Sequence, residues 1–175
     1  MSTDFESSVA AEVADLVGAE ERARHAATAA LSDLAADAFG RDAELLARLL
    51  REAGGVSVLV SMLAHSGRSE VKQCALALLG NLLTDVFDQY ALDSLALVVS
   101  AGGLPRLLEL LDDGMPIALY AAAVLQNVTA LEPFDVCAEL RATGAIDRLR
   151  ALADHPDPQM AEFATGTIAN LRAHE

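Results

Sequence analysis

The stretch Ala75-Leu76-Ala77-Leu78-Leu79-Gly80-Asn81-Leu82 returns twice in altered form. It appears as Ala121-Ala122-Ala123-Val124-Leu125-Gln126-Asn127-Val128, and again as Ala164-Thr165-Gly166-Thr167-Ile168-Ala169-Asn170-Leu171. The three asparagines stand 46 and 43 residues apart, a period that identifies a repeat architecture in which each unit is one supersecondary element. A fainter copy, residues 21–34 (ERARHAATAALSDL), puts Asp33 in the asparagine position 48 residues before Asn81. Upstream of each clear copy lies a second shared signal: Ala53-Gly54-Gly55-Val56, Ala101-Gly102-Gly103-Leu104 and Thr143-Gly144-Ala145-Ile146.

Each unit reads as three helices. The first is short, as in Asp42 to Glu52 with Asp42 as a candidate N-cap, and it ends at a glycine suited to a left-handed turn. The second carries leucines at 3 and 4 spacing, for example Leu104, Leu107, Leu108 and Leu111. The third bears the asparagine. Pro116 and the pair Asp157-Pro158 mark its start, the latter as an N-cap followed by a first-turn proline. No unit can bury its apolar face alone, so the units must stack over one shared core.

This combination of a glycine turn, an apolar second helix and Ala-x3-Leu-x-Asn near the end of a third resembles the armadillo repeat. The resemblance covers roughly residues 8–175, faintly in the first unit. It implies an all-α fold, a right-handed armadillo-type superhelical solenoid of about four three-helix repeats with the first degenerate. The expected bounds are about 8–40, 41–85, 89–131 and 134–175 within a single repeat domain, with residues 1–7 as a disordered N-terminus. HEAT repeats are helical pairs and lack the Gly-Asn pairing.

At 100° per residue, the positions 11, 7 and 4 before the asparagine and 4 after it form their own stripe on the third helix. In the second unit the stripe is Glu70, Cys74, Ala77, Asn81 and Asp85; in the third, Pro116, Tyr120, Ala123, Asn127 and Leu131; in the fourth, Gln159, Phe163, Gly166, Asn170 and His174. The packing side is apolar instead: Val71, Ile117 and Met160, then Leu79, Leu125 and Ile168. Armadillo resemblance makes these stripes the floor of a concave groove. The candidate groove residues are Asp33, Cys74, Asn81, Asp85, Tyr120, Asn127, Phe163 and Asn170.

An asparagine carboxamide both donates and accepts, so a row of them can pair with the main chain of an extended peptide without reading its sequence. The same carboxamide could instead bond a neighbouring repeat and serve stacking; the residues leave both roles open. Import adaptors of this family place Trp four residues before the asparagine, where this chain has Ala77, Ala123 and Gly166. Recognition of nuclear signals by lysine-stem slots is therefore not expected. The basic groove of catenin-like members is absent as well. Between Gln73 and Leu140 the one basic residue is Arg106, against nine acids: Asp85, Asp88, Asp93, Glu109, Asp112, Asp113, Glu132, Asp135 and Glu139. A neutral polar floor with acidic margins is the expectation.

Composition narrows the function. The 175 residues are 53% hydrophobic and 4% aromatic, rich in Ala and Leu, as closely packed helices require. With 26 acidic against 12 basic residues, a net charge of −14 and Lys72 as the single lysine, nucleic acid is excluded as a partner. That field would steer basic partners, or serve only as a soluble surface. No secretory signal opens the chain, and no apolar run approaches the ~20 residues that span a bilayer, so no membrane is expected. Cys74 and Cys137 read as free thiols of a reducing compartment.

Catalytic and metal constellations fail on spacing. His25, His65, His155 and His174 are dispersed, without paired ligand spacing. Asp112-Asp113-Gly114 is too short for a calcium loop, and Ser94, Ser100 and Cys74 lack any local nucleophile motif. The expectation is a non-enzymatic adaptor without cofactor or metal, in the cytoplasm or nucleus, binding a basic extended peptide of another protein. Two alternatives come from the same resemblance: a nucleotide-exchange cofactor gripping an Hsp70-type chaperone, and a structural stacking module. Arg150, Ala153 and Thr167 replace apolar residues of earlier units, as a capping repeat requires, and suggest a complete soluble monomer.

Overall fold

The computed structural model describes residues 2–131 and 134–173. Among the described residues there are helices and no strand. In chain order they are α1 (Ser2–Gly18), α2 (Glu21–Ala36), α3 (Arg41–Glu52), α4 (Gly55–His65), α5 (Ser69–Leu82), α6 (Ala91–Ser100), α7 (Gly103–Leu110), α8 (Ile117–Ala130), α9 (Phe134–Ala142), α10 (Ala145–Ala153) and α11 (Pro158–Ala173). Triplets α3 to α5, α6 to α8 and α9 to α11 each follow the short, second and asparagine-bearing order. The first unit departs from the three-helix expectation: two long helices, α1 and α2, fill it. Residues 2–7 of the stretch expected as disordered lie within helix α1. Val9, Val13 and Leu16, at helical spacing, are buried and anchor it, and the helix propagates back to Ser2.

Within the stretch expected as one domain, contacts gather in two compact units, residues 1–103 and 104–175. In the first, α1 packs against α2, α3 and α4, α2 against α5, and α4 against α5 and α6. Leu16, Leu31, Leu46, Leu50, Leu59, Leu63, Leu76 and Leu79 fill its core. Each fully buried leucine contributes about 2 kcal/mol of apolar transfer. In the second unit α11 packs against α8, α9 and α10, over Leu125, Val128, Leu149, Ile168 and Leu171.

The glycine pairs work by division of labour. Gly54, Gly102 and Gly144 hold φ of 79°, 76° and 77°, the left-handed region in which a Cβ is strained. The second glycine of a pair answers a different need. A Cβ on Gly103 would stand 2.5 Å from Val98 Cγ1 and 2.8 Å from the Val98 carbonyl oxygen.

A side-chain cap opens α11, whereas α2, α3, α4, α5, α6, α8 and α10 begin without one. Asp157 Oδ1 accepts from the backbone N–H groups of Gln159 at 2.9 Å and Met160 at 3.2 Å, the N-cap that the sequence predicts. Asp42, expected as an N-cap, instead lies inside α3: Gly40, at φ 53°, occupies that position two residues earlier. Among the described residues no single helix is long and apolar enough to cross a membrane.

Candidate peptide-binding face of the third helices

Helical phase separates two faces on α5, α8 and α11. Val71, Ala75 and Leu79, with Ile117, Ala121 and Leu125 and with Met160, Ala164 and Ile168, are buried. The asparagine stripes lie elsewhere. Cys74, Ala77 and Asn81, Ala123 and Asn127, and Phe163, Gly166 and Asn170 are half-buried, while Tyr120 is exposed.

One expected groove residue of α5 leaves the helix. Helix α5 ends at Leu82, so Asp85 stands exposed in the following turn and not on the stripe. Asp88, counted with the acidic margin, is fully buried. Its carboxylate pairs with Arg51 and accepts from Ser94 Oγ at 3.3 Å and the Tyr90 N–H at 3.0 Å, with the Arg51 guanidinium 5.5 Å from the Tyr90 ring centre. His174 and Glu132 lie outside the described residues. Thr167, expected on an outward capping face, is buried and donates to the Phe163 carbonyl at 2.8 Å; Arg150 is exposed as expected.

In the first unit α2 packs on α5, which brings two stripes together. Arg22, Ala26 and Ala29, at 11, 7 and 4 residues before Asp33, face Glu70 and Cys74 across a cleft of about 300 Å³ that His25, Arg68 and Val71 complete. Asp33 itself is exposed on α2, and burial pushes the Cys74 thiol up from its ordinary pKa, with Asp33 and Glu70 adding to the rise. Sequence reasoning missed Arg22, His25 and Arg68. The phase rule applied to Asp33 would have found Arg22, but the other two sit off the stripe and needed the packing of α2 on α5.

In the second unit α8 packs on α11. Asn170 Nδ2 donates to Thr129 Oγ1 at 3.1 Å, a bond from one third helix to the one before it. Gly166, in the position where import adaptors carry Trp, lies under the Gln126 amide: a Cβ there would be 2.3 Å from Nε2. The face therefore holds carboxamides and rings without a charged side chain at Tyr120, Ala123, Asn127, Phe163, Gly166 or Asn170.

No family model and no curated protein matches this sequence. Solved structures do. A crystal structure of an engineered protein aligns with TM-score 0.76 at 24% identity, over 95% of this chain and 63% of that one. A designed armadillo repeat protein aligns at 0.75 and 25%, over 93% and 64%. A designed armadillo repeat protein in complex with the peptide (KR)4 aligns at 0.71 and 23%, over 93% and 63%. The chain thus spans somewhat less than two thirds of the length of these structures. The fold is an all-α armadillo-type repeat, as the Ala-x3-Leu-x-Asn recurrence predicts.

Proposed function

We propose that this chain is a non-catalytic protein-interaction module. The asparagine-bearing faces of its third helices take up an extended, basic peptide segment of a partner protein in the cytoplasm or nucleus. The observation that carries the reading is the uncharged, half-exposed stripe Tyr120, Ala123, Asn127 on α8 beside Phe163 and Asn170 on α11. It is polar enough to pair a peptide main chain and is kept out of the core. The net charge of −14 supports a basic ligand, as does the (KR)4 peptide in the designed neighbour.

Asn81→Ala with Asn127→Ala should weaken capture of a labelled (KR)4 probe. At about 1 kcal/mol per lost hydrogen bond the loss is about tenfold or more, with helicity retained. Association should slow as salt rises. Unchanged binding together with a much lower unfolding temperature would make the asparagines structural. A second reading has its own observation: Asn170 already bonds Thr129, so at that position the carboxamide serves stacking. Self-association rising with concentration, without peptide binding, would favour a stacking module; accelerated ADP release from a heat-shock chaperone would favour the exchange cofactor.

A further inference from the structure

We propose that the turns before α3 and α6 form an apolar docking edge for a basic amphipathic helix of a partner protein. This surface is separate from the asparagine-bearing faces and stands or falls independently of the groove reading.

Helices α2 and α5 run side by side in the same direction: Arg22, Ala26 and Ala29 of one meet Glu70, Val71 and Cys74 of the other along their N-terminal halves. Their C-terminal ends, Ala36 and Leu82, are therefore neighbours, and the turns that leave them share one edge of the first unit.

The two turns align 48 residues apart, Asp37-Ala38-Phe39-Gly40 with Asp85-Val86-Phe87-Asp88. Each buries one apolar side chain and exposes another. Ala38 and Phe87 are buried, whereas Phe39 is 81% exposed and Val86 91%. The core takes what it needs from Ala38 and Phe87, so a polar residue would serve at 39 or 86 without loss of packing. Leu92 repeats the point at the start of α6: it is 57% exposed where the preceding unit has Glu44. Of the seven large apolar side chains exposed among the described residues, Phe39, Val86, Tyr90 and Leu92 gather on these turns and the helix start that follows. Single apolar residues scattered over a surface need no explanation, but a cluster marks an interaction site.

Charge selects the occupant. Asp37, Asp85 and Asp93 are exposed, and each stands within two residues of an exposed apolar side chain. The basic residues nearby do not reverse the sign: Arg41 lines a cleft with Glu6, Asp42 and Glu44, Arg48 pairs with Glu52, and Arg51 pairs with Asp88. At a net charge of −14 a second copy is repelled, whereas a segment bearing Lys or Arg beside its apolar residues is attracted. Packed helices stand about 8–10 Å apart, so the two turns are spaced by about that much. Residues seven apart on an α-helix are separated by about 10 Å, so one helix can set an apolar anchor on each turn.

The probe is the labelled helical peptide (LKKLLKL)2, read by fluorescence anisotropy beside two controls, one with Ser for every Leu and one with Glu for every Lys. The Leu-Lys peptide should bind at least about tenfold more tightly than either. That advantage should vanish in Phe39→Ser/Val86→Ser, whose substitutions lie on exposed side chains, and fall several-fold in Asp37→Asn/Asp85→Asn. It should persist in Asn81→Ala/Asn127→Ala. The docking edge is overturned if the Ser or Glu control binds as well as the Leu-Lys peptide, if the advantage survives in both turn variants, or if the asparagine variant abolishes it and so places the peptide in the groove. Light scattering supplies the remaining outcome: a mass above 18.3 kDa that Phe39→Ser/Val86→Ser returns to the monomer value would make a second copy the occupant and refute the basic helix.

Discussion

Replacing Arg51 with Met should cost about 3 kcal/mol of stability. Asp88 is fully buried and the Arg51 side chain is 12% exposed, so water cannot take over the guanidinium's role. Removing one partner of a buried pair typically costs 3–5 kcal/mol, because the remaining charge is uncompensated. Here the lower end applies, since Ser94 Oγ and the Tyr90 N–H still serve the carboxylate. Met keeps most of the apolar stem, so the loss reports charge and not a cavity. Adding Asp88→Asn should recover part of it, because an amide needs no counter-charge and its oxygen can still accept from Tyr90. The assay is urea unfolding followed by helical circular dichroism for the unaltered chain, both single variants and the double variant. An Arg51→Met loss below about 1 kcal/mol, or a double variant costing the sum of the singles, would refute the reasoning.

Other outcomes follow from local geometry. Gly54→Ala should destabilise by about 1–2 kcal/mol through its φ of 79°, measured in the same assay. Gly103→Ala should cost about 1–3 kcal/mol because its methyl would meet both the side chain and the carbonyl of Val98. Asp157→Ala should lose about 1 kcal/mol with the cap of α11, visible as fraying in amide exchange of Gln159 and Met160. Alkylation of Cys74 should reach half its maximal rate at a higher pH than a free cysteine peptide does, since a raised pKa lowers the thiolate fraction at any given pH. Cys137, fully buried, should react only on unfolding.

The fold was legible because it repeats. Ala75, Ala121 and Ala164 had to be small and buried, and Leu79, Leu125 and Ile168 large and buried, and a recurrence of that kind survives drift at other positions. What escaped was of two sorts. The extrapolation to Asp85 assumed that α5 continued past Leu82, but the chain turns there, and nothing in the phase of a helix tells where it stops. The pairing of Arg51 with Asp88 joins residues 37 positions apart, and in the sequence Asp88 is one acid among many. Sequence reasoning counted its charge as surface because burial of a carboxylate depends on a partner that only packing supplies. Arg22, His25 and Arg68 were hidden in the same way. The stretch whose charges were weighed began at Gln73, after all three.

The bond from Asn170 to Thr129 gives the second unit a built-in competition. A ligand main chain that reaches this carboxamide must displace a hydroxyl already held at 3.1 Å, so contact there is an exchange with little net gain. The displaced Thr129 hydroxyl loses nothing essential, because it still donates to the Leu125 or Gln126 carbonyl at 3.0 Å. The position can therefore open without stranding a buried group, yet it rewards a ligand weakly when it does. Thr129→Val would free the carboxamide for an incoming peptide while keeping the side-chain shape. In an armadillo-type chain, the residue two places after one asparagine can thus set how available the next repeat's asparagine is.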